Sequence, residues 1–452
     1  MRRRLATSRM LKPCLSRPEE SASPMFVMTT SAMPAAGEAE PATRPKRPIA
    51  WRLRRIIRTD GMKPVLPKGF ETAAVSPLPV ETSARPGSSP RAETDCLVAM
   101  SGGVDSAVAC ALATQAGLDG VGITMRLWSA GSGSLSEKAR QCCGPSAFED
   151  ARRAAATIGI PHYTVNFEAA FHEAVVEYFC AEYLAGRTPN PCVACNNLVK
   201  FGVLLEFARA LGCRTLVTGH YARVFTDESG PHLLRAVDRG KDQSYMLAGL
   251  TQAQLAGMVL PLGDLRKEDT RALARECGLD IAEKPDSMDL CFVDGDYRSF
   301  ILERHPDGAS AGPVITTQGH EVGQHDGLLG YTVGQRRGLP ETLADGPWYV
   351  VRTDRARNTV VIGRRDELAR NTAHCSNVNV IRPEQFLKGA SSGLAMCRYR
   401  SKPQPAVARL KGTGSMDVEF AQPVPVVSPG QLLVLYGPDG EEVVASGIIE
   451  GG

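Results

Sequence analysis

The chain contains 452 residues, of which 43% are hydrophobic and 22% are charged. This length exceeds the size at which a single hydrophobic core keeps growing, so we expect two or three domains. The composition is ordinary for a globular protein and excludes a chain that is disordered throughout. The formal net charge of +3 excludes a uniformly basic nucleic-acid-binding protein, so such binding would need basic residues gathered on one face.

Membrane and secretion signals are not evident in the sequence. No uninterrupted apolar run approaches the length of a membrane span, and no signal-peptide pattern lies near the N-terminus. We therefore expect a cytoplasmic protein without membrane contacts, while the basic N-terminal segment leaves organelle import open. The thirteen cysteines are then expected to be thiols and not a disulfide framework.

Residues 1–93 are rich in Pro, Ser, Ala and Arg and show no helical or strand period, which predicts a disordered extension. A basic cluster in this segment consists of Arg52, Arg54, Arg55 and Arg58. We interpret it as part of a solvated tail in preference to an RNA contact or a targeting peptide. Alternative start sites in this segment are Met25, Met28, Met33 and Met62.

Residues 94–297 alternate between predicted strands and helices, which is typical of an α/β domain with a parallel sheet. The strands are predicted at 97–100, 121–127, 163–166 and 215–218, the last completing the sheet. The helices are predicted at 106–116, 147–158, 171–184 and 201–211.

The sequence after residue 298 becomes rich in Gly and Pro and predicts two further units, a small central domain over 298–370 and a C-terminal β-barrel over 371–452. Segments 348–352 and 359–362 are predicted to form a hairpin in the central domain. Segments 432–436 and 443–449 are predicted to form the closing hairpin of the barrel.

The motif Ser-Gly-Gly-Val-Asp-Ser at 101–106 follows the first predicted strand and opens the next helix. Gly102 and Gly103 allow backbone N–H groups to approach an anion, and the helix N-terminus adds partial positive charge. These features favour pyrophosphate binding over a plain capped turn, and Asp105 is a candidate Mg²⁺ ligand. The motif lacks the Lys of a Walker loop, which argues against γ-phosphate transfer.

Three cysteines lie in polar, turn-rich segments. Cys192 and Cys195 belong to Thr-Pro-Asn-Pro-Cys-Val-Ala-Cys-Asn at 188–196, and Cys291 ends a similar segment at 285–292. Lys200, at the expected start of the following helix, would favour a thiolate at Cys195. The Cys-x-x-Cys pair alone leaves structural thiols, a redox disulfide and half a metal site open.

The loop at 101–106 resembles that of the PP-loop ATP pyrophosphatase superfamily, whose members adenylate a carbonyl oxygen and release pyrophosphate. The two cysteine segments are similar to the TPNPxxxCN and DSxxxCF segments of the tRNA-specific 2-thiouridylase family (MnmA/TrmU type). The resemblance runs from about 95 to 450 and includes blocks at 218–221, 241–245, 334–338, 398–400 and 429–431. It implies an N-terminal PP-loop domain of the adenine nucleotide alpha hydrolase type, a small central domain and a C-terminal β-barrel.

The resemblance also implies roles for individual residues. The ATP-binding residues would be Ala99, Met100, Ser101, Gly102, Gly103, Val104, Asp105, Ser106, Met125 and Gly219. The target base would contact Asn190, Pro191 and Cys192. The remaining tRNA contacts would be His220, Lys241, Asp242, Gln243, Arg398, Tyr399 and Gln431. Cys195 would be the nucleophile and Cys291 the persulfide carrier.

Cys192 departs from the family pattern, because most familiar members have Asp at this position. Cys192, Cys195 and Cys291 could instead ligate a [4Fe-4S] cluster with one iron open to sulfide. We favour the persulfide and disulfide route over this alternative. The further pair Cys142 and Cys143 is interpreted as structural.

The implied reaction converts the wobble uridine of tRNA to 2-thiouridine with ATP and Mg²⁺. The resemblance implies glutamate, glutamine and lysine tRNAs as substrates, and a cysteine desulfurase or relay protein as sulfur donor. Candidate phosphate contacts are Arg336, Arg337, Arg398 and Arg400, about half of which are expected to be solvated surface. His220 has the alternative of a buried structural histidine. Rival functions are a PP-loop ligase acting on a metabolite and a non-catalytic tRNA-binding protein.

Overall fold

The computed structural model describes residues 94–128, 145–286, 290–293, 295–339 and 346–451. The predictions for residues 1–93 and for Cys142 and Cys143 lie outside the described residues. The described chain forms a parallel α/β sheet, a four-stranded central sheet and a closed β-barrel, so the predicted fold class is confirmed.

The first sheet has five parallel strands in the order β3-β2-β1-β4-β7. Their bounds are β1 Cys96–Ala99, β2 Gly120–Arg126, β3 His162–Asn166, β4 Thr215–Val217 and β7 Met258–Val259. The four predicted strands are confirmed, but 215–218 does not complete the sheet, because Met258–Val259 pairs with the outer side of β4. A strand of two residues is too short to give a sequence pattern.

Helices cover the sheet and connect its strands. The helical segments up to β4 are Val104–Gln115, Pro145–Ile158, Glu168–Phe171, His172–Glu177, Tyr178–Leu184, Pro191–Ala194, Cys195–Val203 and Leu204–Ala210. Those at 172–177 and 195–203 are π-helical and continuous with their α-helical neighbours. The later helices are Ser244–Leu247, Gln252–Ala256, Lys267–Glu276 and Tyr297–Arg304.

The predicted helix at 201–211 begins ten residues earlier than expected, at Pro191. Asn190 caps it by accepting a hydrogen bond from the Val193 N–H at 3.3 Å, and Pro191 occupies the first helical position. The helical run to Ala210 is long and apolar enough to cross a membrane, but half of its apolar window is buried inside the protein. It serves as a core helix of the first domain.

The central sheet has the order β10-β11-β8-β9, and the barrel closes in the order β12-β15-β14-β13-β16-β17. The central strands are β8 Gly312–Thr316, β9 Glu321–His325, β10 Tyr349–Asp354 and β11 Thr359–Gly363. The barrel strands are β12 Arg370–Val380, β13 Ser391–Met396, β14 Gln404–Lys411, β15 Ser415–Val424, β16 Leu432–Tyr436 and β17 Val443–Gly451. Both predicted hairpins are confirmed, as β10 with β11 and β16 with β17. A further hairpin joins β5 Ala222–Asp227 to β6 Gly230–Arg235.

The barrel and the first domain share one hydrophobic cluster. Phe201 from the core helix and Leu432, Tyr436 and Val443 from the barrel belong to it, and all four are at most 3% exposed. Polar contacts join the same units, because the Tyr245 hydroxyl donates to the carbonyl of Leu432 at 2.5 Å. The two domains are therefore parts of one packed body.

A half-buried histidine supports the strand that leads into the 101–106 loop. Thr124 donates its hydroxyl to the Met100 carbonyl at 2.8 Å, and His162 Nε2 lies 2.8 Å from the Thr124 hydroxyl oxygen. Burial, with a smaller contribution from Arg152, lowers the pKa of His162 to about 4. The ring is therefore neutral near pH 7, and its Nε2–H donates to Thr124.

We predict that His162 makes stability depend on pH. Its pKa in the folded protein lies below the ordinary value of 6.5, so the folded state binds fewer protons than the unfolded state between these values. Unfolding free energy should therefore fall as the pH drops from 6.5 towards 4. Urea unfolding at pH 7 and pH 5 should show a smaller fall for His162→Gln, while His320→Gln, an exposed control, should match the wild type. An equal fall in all three proteins would contradict the prediction.

Candidate functional site

The loop at 101–106 is held in a fixed shape by its own serines and by the helix Pro145–Ile158. The Ser101 N–H donates to Ser106 Oγ at 3.1 Å, and Ser106 Oγ donates to the Gly103 carbonyl at 3.0 Å. Gly102 has a φ of +72°, and a Cβ there would lie 2.1 Å from the Ala147 carbonyl oxygen. Only glycine fits this position, so the close backbone approach expected for anion binding is built into the fold.

The other predicted ATP-site residues lie around this loop. Ala99 ends β1, Met100 follows it, and Val104 is buried at the start of the next helix. Gly219 contacts the loop directly, because a Cβ there would lie 2.6 Å from the backbone carbon of Asp105. Met125 is half-buried on the neighbouring strand β2.

Asp105 is engaged by a lysine. Lys267 Nζ lies 2.7 and 2.8 Å from the two carboxylate oxygens of Asp105, and the Tyr221 hydroxyl donates to the same carboxylate at 2.9 Å. Within the described ranges no group of three or more His, Cys, Asp or Glu side chains is arranged to hold a metal ion. Asp105 therefore forms an ion pair with Lys267 in this structure.

Asp286 joins the phosphate loop to the segment that leads to Cys291. Its carboxylate lies 2.7 Å from both Lys241 Nζ and Lys267 Nζ, and 3.5 Å from Arg271. Burial opposes ionisation of this group, but the hydrogen bonds from the two lysines outweigh it and lower the pKa of Asp286. Lys267 thus bridges Asp105 and Asp286.

A fourth cation completes the basic cluster beside the loop. Lys284 Nζ donates to the Gly102 carbonyl at 2.9 Å and to Asp150 at 2.7 Å. We name this set the loop cation cluster, and its members are Lys241, Lys267, Arg271 and Lys284. Of these four residues, only Lys241 was predicted from the sequence to belong to the site. The sequence does indicate two further members. Lys267 and Arg271 are four residues apart in the helix Lys267–Glu276, which has acidic residues in its first turn, so they lie on one face of that helix.

Cys192 and Cys195 lie inside a helix and not on a loop before it. Cys192 is the second residue of the helix and is exposed, whereas Cys195 is 8% exposed and begins the π-helical stretch. The expectation that the helix begins near Lys200 was therefore wrong, because Asn190 and Pro191 start it earlier. The helix N-terminus, which favours a thiolate, lies closer to Cys192.

Cys291 is positioned by the aromatic residue that follows it. Phe292 is 4% exposed, and its ring centroid lies 5.3 to 5.5 Å from those of Phe171, Phe179 and Phe300. Cys291 itself is half-buried and packs against the hydrophobic cluster that contains Cys195. Residues 287–289 of this segment lie outside the described residues.

The three thiols do not form a ligand set for an iron–sulfur cluster. Cys192 is exposed, Cys195 is buried and Cys291 is half-buried, and no group of three or more metal-binding side chains occurs in the described part of the chain. The residues therefore do not fit a [4Fe-4S] cluster as they are arranged.

The barrel holds the segment before the first thiol. Gln431 Nε2 donates to the carbonyls of Thr188 at 2.8 Å and Pro189 at 3.4 Å, and the Thr188 N–H donates to the Pro429 carbonyl at 2.9 Å. Gly430 has a φ of +89°, and a Cβ there would lie 2.9 Å from the Thr188 nitrogen. Gln431, predicted to contact tRNA, is thus engaged with the cysteine segment.

Two other residues predicted to bind tRNA have structural contacts. The buried Asp242 carboxylate accepts hydrogen bonds from Arg235 at 2.7 Å and from the Ala236 N–H at 3.0 Å. Gln243 Oε1 accepts a hydrogen bond from the Tyr221 N–H at 2.9 Å. Both side chains therefore help to shape the segment that carries Lys241.

His220 is a neutral, partly buried side chain. Its Nδ1 lies 2.8 Å from the Thr218 hydroxyl, and its ring packs beside Phe201. Burial, with a smaller contribution from Lys200, lowers the pKa of His220 well below its ordinary value. These contacts agree with the structural alternative for His220.

Exposed arginines remain at two of the predicted tRNA-binding blocks. Arg336 and Arg337 are exposed in the central domain, and Arg398 and Arg400 are exposed on the barrel. The Arg400 guanidinium lies 5.2 Å from the centre of the Tyr399 ring, whose hydroxyl donates to the Asp242 carbonyl at 3.2 Å. Charge is thus available on the surface of both later domains.

A cavity of about 960 Å³ lies beside the helix of the thiols. Its walls come from that helix, from the 168–178 segment and from the barrel, and include Asn190, Asn197, Leu198, Val203 and Leu432. Neither Cys192, Cys195 nor any residue of the 101–106 loop lines it. We therefore do not assign the chemistry to this cavity.

Comparison with domain families divides the chain into three matches. Residues 94–295 match the tRNA methyl transferase HUP domain, residues 298–364 match the tRNA methyl transferase PRC-barrel domain, and residues 371–449 match the aminomethyltransferase beta-barrel domain.

Curated relatives match almost their whole length. The tRNA-specific 2-thiouridylase MnmA of Carboxydothermus hydrogenoformans is 44% identical over 361 residues, which cover 78% of this chain and 97% of that protein. The protein of the same name from Moorella thermoacetica is 43% identical and 99% covered, and that from Clostridioides difficile is 41% identical and 97% covered. In each case the match covers 78% of this chain. The chain belongs to the tRNA-specific 2-thiouridylase family.

Membership in the 2-thiouridylase family confirms the resemblance found in the sequence. Among solved structures, the NMN synthetase of Francisella tularensis matches 43% of this chain and 66% of its own, with 18% identity and a TM-score of 0.26. That similarity is too low to carry an argument.

We predict that Gly430 is required for the position of the cysteine segment. In Gly430→Ala the new Cβ would meet the Thr188 backbone, and the positive φ adds strain, so stability should fall by about 1–3 kcal/mol. Gly414→Ala is the matched control, because Gly414 has a φ of +84° but nothing within 4 Å of its Cβ position. Denaturant unfolding and thiolation rates should show a larger loss for Gly430→Ala. Equal losses would show that backbone strain alone is responsible.

Proposed function

We propose that this protein adenylates the C2 oxygen of the wobble uridine in tRNA and replaces that oxygen with sulfur carried as a persulfide on Cys291. Family membership makes the chain a tRNA sulfurtransferase. One observation carries the mechanistic proposal, namely that Lys267 bonds both Asp105 of the phosphate loop and Asp286, five residues before Cys291. This bridge supports a single site for activation and sulfur transfer.

Activation requires a leaving group, because the uridine C2 oxygen is not displaced directly. Attack of this oxygen on the α-phosphorus of ATP releases pyrophosphate and gives a uridine adenylate. The developing negative charge would be stabilised by the backbone N–H groups of Gly102 and Gly103 and by Lys267 and Lys284. ATP would enter as its Mg²⁺ complex, with the metal on the phosphate oxygens.

Sulfur transfer uses the two thiols in different roles. The Cys195 thiolate attacks the inner sulfur of the Cys291 persulfide, which forms a Cys195–Cys291 disulfide and releases hydrosulfide. Hydrosulfide then attacks C2 of the adenylate, AMP leaves and 2-thiouridine forms. An external thiol reductant supplies the two electrons that restore both thiols. The packing of Cys195 and Cys291 on one hydrophobic cluster supports this route.

The tRNA substrate would be held by the two later domains. The exposed Arg336, Arg337, Arg398 and Arg400 are proposed phosphate contacts. The wobble nucleotide must leave its stack to reach the thiols, as in other enzymes that modify bases, and Asn190, Pro191 and Cys192 are proposed to contact it. We propose glutamate, glutamine and lysine tRNAs as substrates, a cysteine desulfurase or relay protein as sulfur donor, and a cytoplasmic location.

Methyl transfer appears in the names of two of the matched domain families, whereas the names of the full-length relatives specify 2-thiouridine formation. The PP-loop and the paired thiols favour thiolation, because adenylation prepares an oxygen for replacement and the thiols supply sulfur. A PP-loop ligase acting on a metabolite would need neither the thiol pair nor the arginines of the barrel.

We expect Cys195→Ser and Cys291→Ser each to abolish 2-thiouridine formation but to retain pyrophosphate release that depends on tRNA. The reason is that adenylation uses the phosphate loop and not the thiols. The assay is mass analysis of wobble nucleosides after incubation with ATP and a sulfur donor, in air and anaerobically.

Two further variants separate the possible mechanisms. Cys192→Ser should retain thiolation by the disulfide route, whereas a [4Fe-4S] mechanism predicts loss of thiolation and activity only under anaerobic, iron-replete conditions. Cys213→Ser, in a buried position of the core, is the control for the loss of a thiol. Full thiolation by Cys195→Ser would contradict the proposed nucleophile.

Lys267→Met should weaken ATP use. A hydrogen bond to a charged group contributes about 1.5–3 kcal/mol, so the KM for ATP should rise roughly 10- to 100-fold. Lys388→Met, at an exposed position of the barrel, is the control. Steady-state pyrophosphate release at varied ATP concentration measures the effect, and an unchanged KM would remove Lys267 from the ATP site.

A further inference from the structure

The helix that carries both N-terminal thiols changes its winding at Cys195. It is α-helical over Pro191–Ala194, π-helical over Cys195–Val203 and α-helical again over Leu204–Ala210. A π-helical stretch of nine residues is unusual, because π segments are rare and usually a single turn. Each extra residue in a turn rotates the side chains on one side of it by about 100° relative to those on the other. The winding therefore decides which way the thiols face.

One side chain outside the helix bonds two of its carbonyls. Gln254 Nε2 donates to the Asn197 carbonyl at 3.0 Å and to the Phe201 carbonyl at 2.8 Å. These carbonyls are four residues apart, so the amide spans one turn of the π-helical stretch. An external donor thus ties together two backbone oxygens of the π-helical stretch.

The Gln254 amide is itself fixed at its other end. Its Oε1 accepts a hydrogen bond from the Thr251 N–H at 2.9 Å, while the Thr251 hydroxyl accepts from the Gln254 N–H at 3.3 Å. This capping box holds Gln254 at the start of the short helix Gln252–Ala256. The donor is therefore positioned before it meets the π-helical carbonyls.

The neighbouring part of the same segment contacts the helix next to Cys195. Asn196 Nδ2 donates to the Met246 carbonyl at 3.1 Å, and a Cβ at Gly249 would lie 2.2 Å from Nδ2 of the Asn197 side chain. The segment 244–256 is in turn bonded to the barrel, where Asn379 Nδ2 donates to the Ala248 carbonyl at 2.9 Å. The barrel, this segment and the π-helical stretch thus form one chain of contacts.

We propose that Gln254 is a positioning residue, which holds the π-helical winding and so sets the orientation and reactivity of Cys195. The proposal rests on the proposed function in one respect, that Cys195 reacts as a thiolate. Gln254 acts through the backbone of Asn197 and Phe201 and touches no reacting atom.

The direct test is the alkylation rate of Cys195 by iodoacetamide as a function of pH, followed by peptide mass analysis. Gln254→Glu keeps the acceptor for the Thr251 N–H but replaces the donor with a carboxylate that repels both carbonyls. We expect its Cys195 alkylation rate at pH 7 to change by about two- to fivefold, the scale of helix-end effects on a thiolate. Gln254→Met, which lacks the donor without adding charge, should change the rate in the same direction.

Gln252→Met is the matched control, because it removes a side-chain amide from the same short helix whose donor goes to the Ile381 carbonyl and not to the π-helical stretch. It should keep the wild-type alkylation profile. Thiolation by the two Gln254 variants should show a lower kcat with an unchanged KM for ATP, since the 101–106 loop is not part of this contact. Circular dichroism identifies variants that fail to fold, and Gln254→Met then carries the test if Gln254→Glu does not fold.

Wild-type alkylation by a folded Gln254→Met, or an equal change in Gln252→Met, would overturn the proposal. Failure of the proposed function is distinguishable from this result. If Cys195→Ser retains thiolation, Cys195 is not the nucleophile, yet the alkylation profiles still report whether Gln254 controls its orientation.

Discussion

The bridge formed by Lys267 is the interaction on which the arrangement of the site depends. A lysine ammonium shared by Asp105 and Asp286 connects the phosphate loop to the cysteine segment that follows Asp286. The side chain of Lys267 is 12% exposed, so solvent screens these pairs less than it screens surface pairs. A polyphosphate entering the loop would meet the same ammonium. The 101–106 loop and the segment that leads to Cys291 are therefore linked by one charge.

The barrel contacts the segment that leads into the helix of the thiols. Gln431 donates a hydrogen bond to Thr188, just before the helix of the thiols, and Gly430 lies in close contact with the same residue. The segment 244–256 connects the barrel to the π-helical stretch. Residues that a resemblance assigns to tRNA binding thus also shape the site. For Asp242 and Gln243 the internal contacts account for the side chain's polar groups. The later domains have a structural role in addition to any contact with RNA.

Local patterns allowed much of the fold to be predicted. Short apolar runs bounded by Gly predicted β1 to β4, and both hairpins of the later domains followed from turn residues. The strand Met258–Val259 was not predicted, because two residues are too few to show a period. The start of the thiol helix was misplaced, because Asn190 and Pro191 were interpreted as part of a loop and not as a helix cap. The loop cation cluster could not be predicted as a set, because its members come from segments that only tertiary folding brings together. The partners of Gln254 are tertiary in the same way.

The shared core of the first domain and the barrel has a consequence for synthesis on the ribosome. Leu432, Tyr436 and Val443 complete the hydrophobic cluster that contains Cys195, and Val443 belongs to the final strand β17. A nascent chain cannot complete this cluster until the residues of β16 and β17 have left the exit tunnel. Cys195 and Cys291 therefore reach their final surroundings only after β16 and β17 have been synthesised, so a polypeptide interrupted before these strands lacks the complete cluster around both thiols.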